Sequence, residues 1–229
     1  MILSHAHRFL FLKTKKTAGT SLEIALAGIC GPHDVITPIP ERDEAERRRL
    51  GLRGPQNCTV RAGLYRGQDA LRLALHRQRL VFRNHSPALD IRRLVPRDVW
   101  DGCYKFCFDR NPWDKTLSHY HWQGGDRRFG SVKEFLLSGR GQPYSNYQLY
   151  SIRGFVAVDR VYRYEEMEAA LADLSRRLDL AVPLRMPDFR AKGASRPDRR
   201  HYRDVLTDEE AEMIAIACAR EIRLLGYEF

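Results

Sequence analysis

Seven consecutive residues, Lys15-Lys16-Thr17-Ala18-Gly19-Thr20-Ser21, carry two ammonium groups, three hydroxyls and a glycine. Together these groups can hold an anion: Gly19 admits close backbone approach, Thr20 and Ser21 donate hydroxyl protons, and Lys16 brings a mobile charge. His85 offers an imidazole that titrates near neutrality and so suits general base work. Arg110 presents a planar guanidinium fork, and Ser118, eight residues on, a further hydroxyl. In isolation these last two read first as an arginine ion pair at the start of a helix, a reading that loses only beside the first loop and His85. A late basic run over 187–202, with Lys192, Gly193 and Arg196, has no hydrophobic period and reads as a loop.

The elements around these residues follow from the pattern. Phe9-Leu10-Phe11-Leu12 is a short apolar run, as in a parallel strand covered on both faces. Leu22, Ala25, Leu26 and Ile29 then fall on one helical face. Strand, tight loop and helix in that order turn unpaired backbone N–H groups and the positive end of the helix dipole toward one point, where an anion belongs. Leu80-Val81-Phe82 reads as the next strand, with Ser86 and Pro87 opening a helix behind it, so that His85 falls at the carboxyl end of a strand. Residues 103–108 read as another strand, its face shared by Cys103 and Cys107, running into Arg110 and a helix opened by Pro112 with Trp113, Leu117 and Tyr120 inward.

Three further stretches complete the reading. Ser131 with Glu134 and Thr207 with Glu210 form capping boxes, residues 155–164 suggest a strand with a turn at Asp159, and 165–178 is an amphipathic helix. The stretch 31–63 reads as a surface excursion with a short solvated helix at 41–49.

The first loop is not the nucleoside triphosphatase loop GxxxxGK[ST], because no lysine directly precedes Ser21. The order Lys16-Thr17-Ala18-Gly19-Thr20-Ser21-Leu22 instead resembles the 5′-phosphosulfate loop of sulfotransferases that use 3′-phosphoadenosine 5′-phosphosulfate (PAPS). That family usually has proline where this chain has Lys15. The pattern Arg110-Asn111-Pro112-x-Asp114-x-x-x-Ser118-x-Tyr120 resembles the same family's 3′-phosphate motif, and the Gly226-containing end resembles its C-terminus.

The resemblance implies a bacterial carbohydrate-type sulfotransferase, with residues Lys16 to Ser21 on the 5′-phosphate and Arg110 and Ser118 on the 3′-phosphate. It further implies His85 as general base, Lys16 as charge stabiliser at the bridging oxygen, and Lys192, Gly193 and Arg196 in a loop folded over the nucleotide. The expected fold is a single α/β domain over residues 1–229, P-loop-like and three-layered, with a mainly parallel central sheet flanked by helices. No metal is expected.

The chain of 229 residues suits one domain. Thirty-nine basic against 29 acidic side chains give a net charge of +10, favouring nucleotides, acidic glycans, nucleic acid or a membrane surface as partners. The arginines read as dispersed, without the concentrated basic helix of a nucleic-acid reader, so a nucleotide donor and a glycan or other hydroxyl acceptor are the expected partners. Five cysteines without a CxxC pair argue against a disulfide framework or zinc site. With no signal peptide or apolar span to be read, a cytoplasmic location is expected. Two other classes stay open: a nucleotide or small-molecule kinase, which would need a magnesium carboxylate, and a non-catalytic basic protein that binds nucleotide or nucleic acid.

Overall fold

A computed structural model describes residues 1–139, 145–188 and 200–229 of the chain. The strands are β1 (Ile2–Ser4), β2 (Phe9–Phe11), β3 (Val35–Ile36), β4 (Tyr104–Asp109), β5 (Ser151–Ile152), β6 (Phe155–Val156) and β7 (Arg160–Arg163). The helices in the first half are α1 (Gly19–Ala27), α2 (Glu41–Arg49), α3 (Gly67–His76), α4 (Ala88–Leu94), α5 (Arg97–Gly102) and α6 (Pro112–Trp122). Those in the second half are α7 (Asp126–Phe129), α8 (Val132–Leu137), α9 (Tyr147–Tyr150), α10 (Met167–Arg177), α11 (Asp208–Ala217) and α12 (Ala219–Leu225).

Five strands form one sheet in the order β3-β1-β2-β4-β7. The pairs β2/β4 and β4/β7 are parallel, whereas β1/β2 and β1/β3 are antiparallel. The sheet is therefore mixed and not mainly parallel. The difference arises at the amino end, where Ile2–Ser4 folds back on Phe9–Phe11 as a hairpin. Asp34 fastens that turn, accepting from Ser4 Oγ at 2.7 Å and from the His5 N–H at 2.7 Å. Three strand residues are too few to show a period in sequence.

Alternation along the strands sends side chains to two faces. Phe9, Phe11, Phe106 and Phe108 meet Leu22 and Leu26 of α1 and Ala170, Leu171 and Leu174 of α10. Leu10, Leu12 and Cys107 meet Ala88, Ile91 and Leu94 of α4 together with Trp100. Helices thus cover both faces. A third apolar cluster joins Trp113, Leu117 and Tyr120 of α6 to Phe135 of α8 and Ile214 of α11. All five cysteines are free thiols.

Two further expectations change. Residues 80–82 add no strand to the sheet: Val81 bridges only Thr59, with the Val60 N–H donating to Leu80 O at 2.9 Å. The helix at 41–49 forms and is solvated along Glu41, Arg42, Ala45, Arg48 and Arg49, but its other side is buried, where Arg47 donates to Glu44 at 3.2 Å. No helix among the described residues is long and apolar enough to cross a membrane.

Candidate functional site

The parallel half of the sheet delivers three chain segments to one end. The loop after β2, the Asp109-Arg110-Asn111 turn after β4 and Tyr164-Glu165 after β7 all leave the carboxyl ends of neighbouring strands, where open α/β sheets place ligands.

The loop turns by two left-handed residues, Lys16 at φ 62° and Ala18 at φ 54°. Non-glycine residues adopt that region at a cost of about 1 kcal/mol or more, and they do so where surrounding contacts dictate it. Those contacts are visible here. Thr14 Oγ1 donates to Phe108 O and lies 2.8 Å from Thr17 Oγ1, which places Thr17 in a buried hydroxyl pair. The Lys15 N–H donates to Asn146 Oδ1 at 2.9 Å, and Asn146 Nδ2 donates back to Lys15 O at 3.1 Å. Ala18 caps α1, and Gly19, Thr20 and Ser21 form its first turn, the end of a helix at which backbone N–H groups point outward.

Beneath this turn lies a buried ion cluster that sequence reasoning missed. Lys13, only 4% exposed, donates to Glu23 Oε2 at 2.6 Å and to Thr20 Oγ1 at 3.1 Å. Glu23, fully buried on α1, also accepts from the Met1 ammonium at 2.6 Å. Burial alone would raise the Glu23 carboxyl, but the two cations hold it below the usual carboxylate range. Gly19 sits directly on the Lys13 stem: a β-carbon there would come within 2.7 Å of Lys13 Cγ. A lone acid inside Leu22-Glu23-Ile24-Ala25-Leu26-Ala27 was the available signal.

His85 reaches the same cluster from a different segment. Its Nδ1 lies 3.1 Å from Lys13 O, and because a carbonyl only accepts, the neutral ring carries its proton on Nδ1 and its lone pair on Nε2. Burial, reinforced by the Lys13 ammonium, pushes its pKa down to about 4. His85 itself is left-handed at φ 58° and belongs to no strand, so its placement comes from this contact and not from a sheet end.

Arg110 connects the second motif to the first. Its Nη1 donates to Lys16 O at 3.3 Å, its Nε and Nη2 address Asp114 Oδ2 at 2.8 and 2.6 Å, and its plane lies 4.5 Å over the Tyr164 ring. The side chain therefore runs along the first turn of α6. Ser118 follows Asp114 by four residues on the same helix stripe, half-buried. The neighbouring Asp109 carboxylate, fully buried, accepts from Lys115 at 2.9 Å, Asn146 at 2.9 Å, Tyr150 at 3.0 Å and the Arg110 N–H at 2.8 Å. Lys16 Nζ lies 5.2 Å from the centre of the Trp122 ring. Near it, burial and then Lys16 and Lys15 drive the His119 imidazole down to about 3. Lys192, Gly193 and Arg196 lie outside the described residues.

The arrangement is an α/β sheet end with a loop rich in lysine and hydroxyl side chains, a neutral histidine and a guanidinium fork. No protein-family model and no solved structure matches the chain. An uncharacterized protein of Archaeoglobus fulgidus is 34% identical over 103 residues, an alignment covering 43% of this chain and 86% of that one. The chain belongs to one family with that archaeal protein.

Proposed function

We propose that the protein is a PAPS-dependent sulfotransferase acting on a hydroxyl acceptor, most simply a sugar. The observation that carries this reading is convergence: Lys16, Arg110 and His85, from three segments distant in sequence, meet around the loop after β2 through the Arg110 contact to Lys16 O and the His85 contact to Lys13 O. A P-loop-like domain is the fold this implies.

In the proposed reaction the acceptor oxygen attacks the sulfur as the bond from sulfur to the 5′-phosphate oxygen breaks, leaving 3′-phosphoadenosine 5′-phosphate. His85 Nε2 receives the acceptor proton; its low pKa keeps it unprotonated, and the donor's negative charge raises its basicity on binding. Lys16, on a flexible stem, moves from Trp122 to the bridging oxygen and stabilises the charge growing there. Thr17, Ala18, Gly19, Thr20 and Ser21 hold the 5′-phosphate at the start of α1. Arg110 and Ser118 read the 3′-phosphate, for which the Arg110 fork must yield part of its contact with Asp114. Positioning and electrostatics supply the catalysis, as in phosphoryl transfer.

Calorimetric titration with 3′-phosphoadenosine 5′-phosphate, with AMP and ATP as controls, tests the donor site without an acceptor. Binding is expected for the bisphosphate alone, weakened at least about tenfold in Arg110→Ala by loss of a charge-assisted bidentate contact. His85→Ala should leave that binding intact and abolish turnover once an acceptor is found. A magnesium-dependent preference for ATP would overturn the reading in favour of a kinase.

A further inference from the structure

Helix α3 is mounted with its apolar side outward. Asp69 faces the body, accepting from the Arg66 N–H at 3.1 Å and from Arg93 of α4 at 3.3 Å. On the opposite side Ala70, Leu71, Ala74 and Leu75 form one stripe, as their spacing of one, three and four residues requires. Leu71 is 57% and Leu75 67% exposed, and neither belongs to an apolar cluster. An amphipathic helix ordinarily buries such a stripe against its own domain.

The surroundings say what covers it. Residues 61–93 contain eight arginines and two aspartates, with no lysine or glutamate, and so account for +6 of the chain's +10. This stretch is one of two dense in net positive charge, the other being the late basic run over 187–202. Arg61, Arg66, Arg77, Arg79 and Arg83 are exposed, and none makes an ion pair among the described residues. One of the two aspartates, Asp69, is buried and already engaged with Arg93. Leucines projecting between arginines fit a layered partner, with anionic groups at its surface and hydrocarbon just beneath. A nucleic acid would match the arginines but leave the leucines in water.

We infer that α3 is a peripheral docking element for an anionic lipid bilayer. The patch needs no assumption about the reaction at the sheet end, so it stands or falls separately from the sulfotransferase reading.

The test is co-sedimentation of the full chain with vesicles of phosphatidylglycerol and phosphatidylcholine in equal parts, against phosphatidylcholine alone. Binding to the mixed vesicles only is expected, falling as salt screens the arginines. Leu71→Ser with Leu75→Ser should lower it about tenfold or more, since two inserted leucines are lost, and Arg77→Glu with Arg79→Glu should do the same. Both pairs replace exposed side chains, and an unchanged thermal transition verifies the fold. Absence of vesicle binding overturns the inference. So does binding that ignores the leucine pair while an oligonucleotide competes for it, which would mark a polyanion site. A dimer dispersed by the leucine substitutions, with vesicles left unbound, would also overturn it and assign the stripe to a second copy.

Discussion

His85 and His119 are both held neutral by burial near lysines, with pKa values pushed down to about 4 and about 3. In the unfolded chain each returns to an ordinary value near 6.5, so between these limits the unfolded state binds the extra protons. Their contribution to stability is complete above about pH 6.5 and is lost as the pH falls through the folded values, at up to ~1.4 kcal/mol per pH unit for each ring. Urea unfolding across pH 7 to 4.5 should show this decline, and His85→Gln should flatten it. Gly19→Ala belongs to the same scale. The new methyl meets the Lys13 stem at 2.7 Å and forces that ammonium away from Thr20 and Glu23. A loss of about 1–3 kcal/mol is expected, together with weaker anion binding, read by denaturation and by titration with the bisphosphate.

At the scale of elements, the turn from β4 into α6 rests on Asp109. Asp109→Asn leaves the Lys115 ammonium buried without its counter-charge, which costs about 3–5 kcal/mol. Chemical denaturation measures that loss, and Asp109→Asn combined with Lys115→Met should recover a substantial part of it. What could be read from sequence at this scale was whatever is local. The strand-to-helix loop, the helix opened by Pro112 with Asn111 as its cap, the Thr207/Glu210 capping box and the amphipathic α10 all carry their signals within a few residues. Partners remote in sequence left no such trace. Lys13 with Glu23, His85 with Lys13 and Asn146 with Lys15 form only when the chain is folded, and each side chain alone has an ordinary surface reading. Leu80-Val81-Phe82 misled for the converse reason: an apolar triplet that packs under a loop has the same composition as one that joins a sheet.

Over the whole molecule, totals hid distribution. A net charge of +10 suggested anionic partners of any kind, yet it gathers in two stretches, 61–93 with the outward-facing α3 at +6 and the late run over 187–202 at +3. The sheet carries a comparable division. Its β2-β4-β7 half is parallel and presents the candidate site, while the β3-β1 side is an antiparallel flap fastened by Asp34. Asp34→Ala should loosen that flap, with faster amide exchange at Leu3 and Leu10 than at Phe106. About 1–3 kcal/mol would be lost because the buried Ser4 hydroxyl and the part-buried His5 amide lose their acceptor.

The Asn146 clasp has a bearing on assembly. Its bonds to the Lys15 backbone join residues 131 apart, so a loop spelled near the start of the chain is completed only by a side chain made much later. During synthesis the first hundred residues would emerge with the 15–21 loop written but not yet shaped. A nascent chain would therefore fix the shape of this loop abruptly, when the segment carrying Asn146 leaves the ribosome, and not in proportion to its length.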